Sequence, residues 1–347
     1  MAKTLFTDQS ALDAIRQSVT VAVVGTGSVG AAHLRVLSSG VASGVLAVPS
    51  RPARRAELAA QGVPVASDVR EAVRAGAACA VIATDTGRHV ADGLDALDAG
   101  LHLLVEKPLA RDAGEALRLL RRARELGRRL YVGCTLRFSE SLGVFRDILG
   151  SVGRLHAVRI ECQSYLPDWR PARDYREAYS ARAAEGGVLR DLIHEVDYAG
   201  WLFGWPAAVQ ARLRNLGQLG IEAEELAELS WETPSGCLVS VALDYLSRPA
   251  RRRMRACGDA GTVEWDAIAG TVTIEHPGAP AEVRRSSQTR DHMLLAQDRE
   301  FLLACAGGPT SRLATGEDGV RGVAVCDAAR RASASGREEP VTYEAVG

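Results

Sequence analysis

The segment from residue 19 to residue 39, VTVAVVGTGSVGAAHLRVLSS, constrains the fold of this chain more than any other stretch. An apolar, β-branched run is followed by a glycine turn and then by a helical pattern, which predicts strand, turn and helix. The turn matches G-x-G-x-x-G, whose glycines permit a tight turn, close approach of a pyrophosphate and close helix–strand packing. A glycine turn without a ligand is the alternative. The pattern predicts a dinucleotide site at the helix start, formed by Gly25, Thr26, Gly27, Ser28, Val29 and Gly30.

The same alternation continues through the first part of the chain. Short apolar strands such as ACAVIATDT and LHLLVEKP are separated by helical patterns, which predicts a parallel sheet covered on both faces. From residue 153 the segments become longer and alternate, as in GCLVSVALDYLS, which predicts antiparallel strands. The predicted fold class is α/β: an N-terminal Rossmann parallel sheet, then a C-terminal α+β domain with a large open, mainly antiparallel sheet. We place the domains at residues 1–135 and 136–347, with final helices that can pack back on the first.

Composition limits the partners and the compartment. The 347 residues include 42 basic and 43 acidic side chains, so no net field recruits nucleic acid or an anionic membrane. The N-terminal segment carries Asp8 and Asp13 and lacks an apolar core, and no run of 18 apolar residues occurs, so we expect a cytoplasmic protein. The seven scattered cysteines never form C-x-x-C, and no metal site is predicted.

The end of the second strand bears on the choice of dinucleotide. A carboxylate there would bind the ribose 2′-hydroxyl of NAD, but this chain reads AVPSRPARR. Ser50 and Arg51 offer a hydroxyl and a guanidinium suited to a 2′-phosphate, which favours NADP(H). The arginines can also simply line a solvated helix start, so NAD(H) stays open.

Lysine usage singles out one position. The chain has two lysines, Lys3 and Lys107, and the rest of its 42 Lys and Arg residues are arginines. An ammonium is a compact donor that can release its proton, whereas Arg is a wide planar fork that cannot. A solvated lysine after a strand is the alternative. Lys107, in VEKPLA, is therefore a candidate for chemistry that Arg cannot perform.

With the nucleotide turn, VEKPLA and EGGVLRDLIHEVDYAGWLFG in view, the chain resembles the glucose-fructose oxidoreductase, inositol dehydrogenase and rhizopine-catabolism family (Gfo/Idh/MocA) from residue 20 onward. The resemblance implies an NAD(P)-dependent oxidoreductase that interconverts a secondary alcohol and a ketone on a sugar, cyclitol or nucleotide-sugar. It also implies a carbohydrate-like small-molecule substrate and a homodimer or homotetramer. Two alternatives remain: the family's NAD-dependent glycosidase branch, and a non-catalytic cofactor-binding sensor or corepressor.

The resemblance also assigns catalytic residues. It places Lys107 between nicotinamide and substrate, with Glu106 orienting the cofactor or the lysine. It makes His194 the acid/base and Asp191 its orienting partner. In the family the Asp commonly stands four residues before the His, but here DLIH places it three before. Both spacings lie on one face of a helix, so we expect the pair to converge.

Further residues follow from the same resemblance. Thr84 and His89 correspond to a turn beside the nicotinamide, with Asp85 in place of a proline; His89 can equally be a helix-start histidine. Arg137 is a candidate substrate ligand or a brace at the domain junction. The loop YLPDWRPARDY has the composition of a carbohydrate site or of an oligomer interface. Its candidate substrate ligands are Tyr165, Trp169, Arg170 and Tyr175.

Overall fold

The computed structural model describes residues 19–171 and 173–343. Lys3 and the N-terminal segment on which the expected compartment rests lie outside these residues. The chain divides into two compact units. The described part of the first unit comprises residues 19–109, 117–135 and 289–316. The second comprises residues 110–116, 136–288 and 317–343, without residue 172.

The elements from residue 20 to residue 132 alternate between strands and helices. In chain order they are β1 (Thr20–Val24), α1 (Ser28–Leu37), β2 (Gly44–Val48), α2 (Pro52–Ala60), α3 (Val69–Arg74), β3 (Ala77–Ile82), α4 (His89–Asp98), β4 (His102–Val105), α5 (Ala113–Glu125) and β5 (Leu130–Val132).

The middle of the chain is dominated by strands. Its helices and strands are α6 (Glu140–Ile148), β6 (Leu155–Gln163), α7 (Val188–Asp191), α8 (His194–Phe203), β7 (Ala208–Arg214), β8 (Leu226–Glu232), β9 (Leu238–Asp244), β10 (Arg251–Gly258), β11 (Gly261–Asp266), β12 (Thr271–Glu275) and β13 (Glu282–Arg285). The last elements are α9 (Arg290–Cys305), β14 (Ala314–Thr315), α10 (Gly316–Ser335) and β15 (Glu339–Pro340).

The sheet of the first unit has the strand order β14-β5-β4-β3-β1-β2. Strands β1 to β5 pair in parallel, and the short β14 is antiparallel to β5. Residues 21–24 and 103–105 are buried, as expected for strands covered on both faces. The carboxyl ends of parallel strands are where open α/β sheets bind ligands. The predicted Rossmann sheet is confirmed, and its ligand-binding edge carries the glycine turn.

The sheet of the second unit has the strand order β13-β12-β11-β10-β6-β9-β8-β7-β15 within the described residues. Its strands are antiparallel except for β6 and β9, which pair in parallel. In β8 every second residue is buried, and the buried face of this sheet contains Val158, Ile160 and Trp265. The predicted large, mainly antiparallel sheet is confirmed. In the described part of the chain, no helix is both long and apolar enough to cross a membrane.

Candidate active site

The glycine turn lies in the first unit between β1 and α1. Gly25 has φ +87°, and a Cβ there would lie 2.7 Å from the carbonyl carbon of Ala83. A Cβ on Gly30 would overlap the carbonyl oxygen of Gly25, so α1 can pack this closely only without a side chain at residue 30. A Cβ on Gly27 would meet nothing within 4 Å. The backbone at Gly27 therefore faces open space at the start of a helix.

This edge of the sheet has features that fit a dinucleotide. The first turn of α1 contains no acidic residue, and Gly27 and Ser28 are exposed while Thr26 and Val29 are half-buried. Thr84 follows β3, and its Oγ1 is buried without a hydrogen-bond partner among the described residues. Such a hydroxyl costs free energy unless a ligand or water satisfies it. Backbone N–H groups at a helix start and an unsatisfied hydroxyl are the donors that a dinucleotide would use.

Ser50 and Arg51 lie at the same edge. Both are exposed and follow β2 after Pro49, and the Gly25 N–H donates to the carbonyl of Val48, the last residue of that strand, at 3.0 Å. Arg54, one turn into α2, pairs with Glu57 at 2.9 Å. Arg51 is the residue immediately before α2 and next to Ser50 in the chain.

His89 joins two turns of the first unit. Its Nδ1 lies 2.8 Å from the carbonyl oxygen of Pro108, and its Nε2 lies 3.0 Å from that of Thr84. The ring is buried, and this burial lowers its pKa. Both ring nitrogens face backbone carbonyls, so the described contacts of His89 fix the shape of the turns. A direct contact between His89 and the cofactor stays a prediction.

Lys107 lies on one of these turns. It follows β4, is half-buried, and is joined to Pro108 by a cis peptide bond. The preceding Glu106 is buried, and a Cβ on Gly133 would lie 2.5 Å from its Oε1. Glycine at residue 133 therefore leaves the space that the Glu106 carboxylate occupies.

Glu106 belongs to a buried ionic network that the sequence analysis did not identify. His33 on α1 places its Nε2 3.1 Å from Glu106 Oε1 and its Nδ1 2.9 Å from Asp298 Oδ2 on α9. Burial lowers the pKa of His33, but the two carboxylates outweigh it and raise the pKa to about 10. Burial likewise opposes the ionisation of Glu106, yet His33 lowers its pKa below the ordinary value. Both shifts favour a protonated imidazole beside an ionised Glu106, whereas burial raises the pKa of Asp298.

Asp191 is the centre of a second buried network, in the second unit. Its Oδ1 accepts a hydrogen bond from the Tyr179 hydroxyl at 2.7 Å. Its Oδ2 accepts from the Ser180 hydroxyl at 2.6 Å and from the Tyr245 hydroxyl at 3.0 Å. Burial and the Asp191 charge raise the pKa of Tyr245 well above its usual value, so this phenol keeps its proton. Three neutral donors therefore hold one carboxylate, and hydrogen bonds of this kind favour the charged form of a carboxyl group.

The helix predicted through Asp191 and His194 is interrupted. Helix α7 ends at Asp191, and α8 begins at His194 after a two-residue turn. The Ile193 N–H donates to the Arg190 carbonyl three residues earlier, and Glu195 N–H donates to Leu192 in the same way. The expectation of one continuous helical face is therefore corrected, because the backbone tightens between the two residues. His194 is half-buried at the first position of α8.

An open pocket lies in the second unit next to one of the donors of Asp191. Its wall includes Ser180, a donor to Asp191, and three of the predicted substrate ligands. These are Trp169, Arg170 and Tyr175. The Trp169 ring packs edge-on against Tyr245 with centroids 5.5 Å apart, and its Nε1 donates to the Ser164 hydroxyl at 2.9 Å. The pocket thus combines aromatic and polar walls, as carbohydrate sites do.

Two predicted substrate ligands have other partners. The Arg248 guanidinium stacks on the Tyr165 ring at 3.3 Å from the centroid, and Tyr165 is not part of the pocket wall. Arg137 is buried and binds Asp197 through Nε and Nη2 at 2.9 and 2.7 Å, while its Nη1 binds Asp318 at 3.1 Å. These contacts are those of a structural brace inside the second unit. A direct contact between Arg137 and the substrate stays a prediction.

The sequence reasoning missed the partners of the catalytic candidates. Tyr179, Ser180 and Tyr245 have ordinary loop or strand contexts, and their convergence on Asp191 depends on tertiary structure. His33 offered a weak signal, because it stands three residues after Gly30 on an otherwise apolar helix face. Among the described residues there is no cluster of three or more His, Cys, Asp or Glu that could hold a metal ion.

The chain matches two family descriptions. The oxidoreductase family with an NAD-binding Rossmann fold (GFO_IDH_MocA) matches residues 19–134, and the GFO/IDH/MocA C-terminal domain matches residues 149–264. Together they span most of the chain.

Individual relatives agree with this match. The chain is 31% identical to an inositol 2-dehydrogenase of Streptomyces avermitilis, covering 82% of both chains. It is 29% identical to the myo-inositol dehydrogenase Hyg17 of Streptomyces leeuwenhoekii, over 92% of this chain and 98% of that protein. The solved complex of levoglucosan dehydrogenase with NADH has the same fold, with a TM-score of 0.84 at 18% identity, and covers 94% of this chain and 100% of the other.

Proposed function

This chain belongs to the Gfo/Idh/MocA family of NAD-binding oxidoreductases, and from that premise we propose that it oxidises a secondary alcohol on a sugar or cyclitol, or reduces the corresponding ketone. The relatives named above act on inositol or levoglucosan by their names, which supports a polyhydroxylated ring as the substrate. The observation that supports the proposal most strongly is the Asp191 network beside the pocket.

The residues of the second unit are suited to proton transfer at a hydroxyl. Alcohol oxidation needs a group that takes the hydroxyl proton, and histidine does so near neutral pH without large tuning. We assign this step to His194. Asp191, which accepts hydrogen bonds from three hydroxyls, provides the carboxylate that favours the imidazolium formed by this proton transfer.

Lys107 supplies the charge that the reacting oxygen requires. Its ammonium donates a hydrogen bond to the substrate oxygen as negative charge develops there. The nicotinamide, when bound, supplies the hydride acceptor. The glycine turn and Thr84 hold the dinucleotide, and Glu106 orients Lys107.

We propose further that the dinucleotide is preferentially NADP(H), because Ser50 and Arg51 are exposed at the end of β2 where NAD sites carry a carboxylate. Bidentate guanidinium contacts to a phosphate contribute about 1.5–3 kcal/mol, or roughly 10- to 100-fold in affinity. Calorimetric titration of Arg51→Ala should show that loss for NADP(H) and little change for NAD(H). Arg54→Ala is the matched control, since Arg54 is paired with Glu57. Equal affinities of the wild type for both dinucleotides would refute the preference.

The activity is tested on the purified protein with myo-inositol, levoglucosan and a panel of aldoses. Reduction of added NAD⁺ or NADP⁺ is followed by absorbance, and the product ketone is identified by mass spectrometry. Net cofactor reduction with one or more of these alcohols supports the proposal. Glycosidic cleavage without net cofactor reduction would instead support the glycosidase branch. Binding of the cofactor with no turnover of any ring alcohol would favour a sensor. Sedimentation analysis tests the predicted homodimer or homotetramer.

A further inference from the structure

We propose that His33 is a positioning residue, which fixes the Glu106 carboxylate and, through it, the adjacent Lys107. Asp298 in turn holds the His33 ring. The inference rests on the proposed function because it assigns Lys107 a role in turnover. His33 does not touch substrate in this account; it acts through Glu106.

Buried hydrogen bonds fix the position of the Glu106 carboxylate. Glu106 is the direct chain neighbour of Lys107, and its Oε1 accepts from His33 Nε2 at 3.1 Å. The opposite nitrogen of the same ring lies 2.9 Å from Asp298 Oδ2. His33 and Asp298 have no exposed surface, and Glu106 is 8% exposed. A ring bonded at both nitrogens in a packed interior has one orientation, so Glu106 has a fixed partner.

The charges of these three side chains also balance one another. An imidazolium between two carboxylates compensates charges that would be costly to bury alone. Glu106 therefore has its charge balanced from inside the unit by His33, and it does not need the Lys107 ammonium as its sole counterion.

His33 also joins two segments of the first unit. It lies on α1, the helix that begins directly after Gly27 of the glycine turn. The bond to Glu106 therefore ties the turn that holds Lys107 to the helix whose start is proposed to bind the pyrophosphate. A misplacement of about 1 Å in such a constellation can cost about 100-fold in rate.

The chain offers a matched control for a purely structural role. Asp291 is on the same helix as Asp298 and also bonds α1, through Arg35 at 2.8 Å. That pair is exposed and does not contact Glu106. Asp298→Asn and Asp291→Asn thus make the same chemical change in two links between the same helices.

The first readout is kinetic. For Asp298→Asn we expect kcat to fall by about 10- to 100-fold while the Kd for the dinucleotide stays close to that of the wild type. Asp291→Asn should keep both constants. Asp298→Glu, which retains the carboxylate, should restore part of the loss. If Asp298→Asn does not fold, Glu106→Gln takes its place, with the same expected split between kcat and Kd.

The second readout does not depend on activity. The chain has two lysines, so ¹³C-methylation of the amines gives one set of NMR signals for Lys107 besides those of Lys3 and the N-terminus. We expect Asp298→Asn to shift the Lys107 signals and Asp291→Asn to leave them in place. Lys107 signals that stay unchanged in Asp298→Asn, or equal effects of the two variants on kcat, would overturn the inference. A wild type that turns over no alcohol would instead contradict the proposed function, while the NMR comparison would still test His33.

Discussion

Replacing Tyr245 with Phe should weaken catalysis through Asp191 and leave the fold in place. Tyr245 is fully buried, and Phe keeps its ring packing against Trp169 while removing the hydroxyl that donates to Asp191 at 3.0 Å. A hydrogen bond to an ionised group contributes about 1.5–3 kcal/mol, so we expect the free energy of unfolding to fall by that amount. Two donors still hold Asp191, so we expect kcat to fall by about 10-fold, less than the ~100-fold of a 1 Å misplacement.

Tyr198→Phe is the matched control. Tyr198 is also fully buried, also packs edge-on against a tryptophan, Trp265, and also points its hydroxyl at a carboxylate, Glu195. That hydroxyl lies 3.4 Å from Glu195, which is already paired with Arg252 at 2.8 Å. We therefore expect a smaller stability loss, about 0.5–1.5 kcal/mol, and unchanged kcat.

The assay combines denaturant unfolding with steady-state kinetics on the substrate found in the activity screen. If the two Phe variants lose kcat in proportion to their loss of unfolding free energy, Asp191 has no role in turnover beyond its contribution to stability. A Tyr245→Phe enzyme with wild-type kcat despite the expected stability loss would refute the reasoning in the same way.

Three other substitutions have defined outcomes. Gly133→Ala should lower kcat by about 10-fold in steady-state assays, because its Cβ would displace the Glu106 carboxylate. Arg137→Gln should cost about 3–5 kcal/mol in denaturant unfolding and leave the substrate KM unchanged, because it strands the buried Asp197. His33→Gln should flatten the pH dependence of the free energy of unfolding. With a folded pKa near 10 against 6.5 unfolded, the wild-type His33 contribution is complete below pH 6.5 and is lost as pH rises through about 10.

Controls for two of these lie in α6. Gly143→Ala should keep activity and stabilise the helix by up to about 1 kcal/mol, since a Cβ there meets nothing within 4 Å. Arg146 also stacks on Trp201, as Arg137 does, but it is exposed, so Arg146→Gln should cost less than about 0.5 kcal/mol. Comparable stability losses for the two arginine variants, or a raised KM in Arg137→Gln alone, would contradict the assignment of Arg137 as a brace.

The fold class was predictable because each strand and helix has a recognisable pattern within its own short segment. The glycine turn and the alternating apolar strands specified the parallel sheet, and period-two alternation specified the second sheet. The parallel pairing of β6 with β9 was not predictable in this way, since two strands intervene in the chain and pairing is a tertiary choice.

The sequence predicted candidate site residues where they belong to a motif, but it did not predict the residues that contact them. Lysine usage indicated Lys107 and the resemblance supplied Asp191 and His194, but several buried ion pairs of the two units join distant positions. Asp298 is 265 residues from His33, and Asp318 is 181 residues from Arg137. No periodicity connects such pairs, so a sequence can indicate that Arg137 is charged without indicating which carboxylates neutralise it.

The measurement that tests the central claim most directly is turnover by Lys107→Arg beside its dinucleotide binding curve. Arg keeps the positive charge but replaces the compact ammonium with a wide planar fork. If Lys107 binds the reacting oxygen, this variant should lose most of its turnover while the dinucleotide Kd stays within a few fold of the wild type. A Lys107→Arg enzyme with wild-type turnover would contradict the account, because charge alone would then explain the one lysine in the described residues.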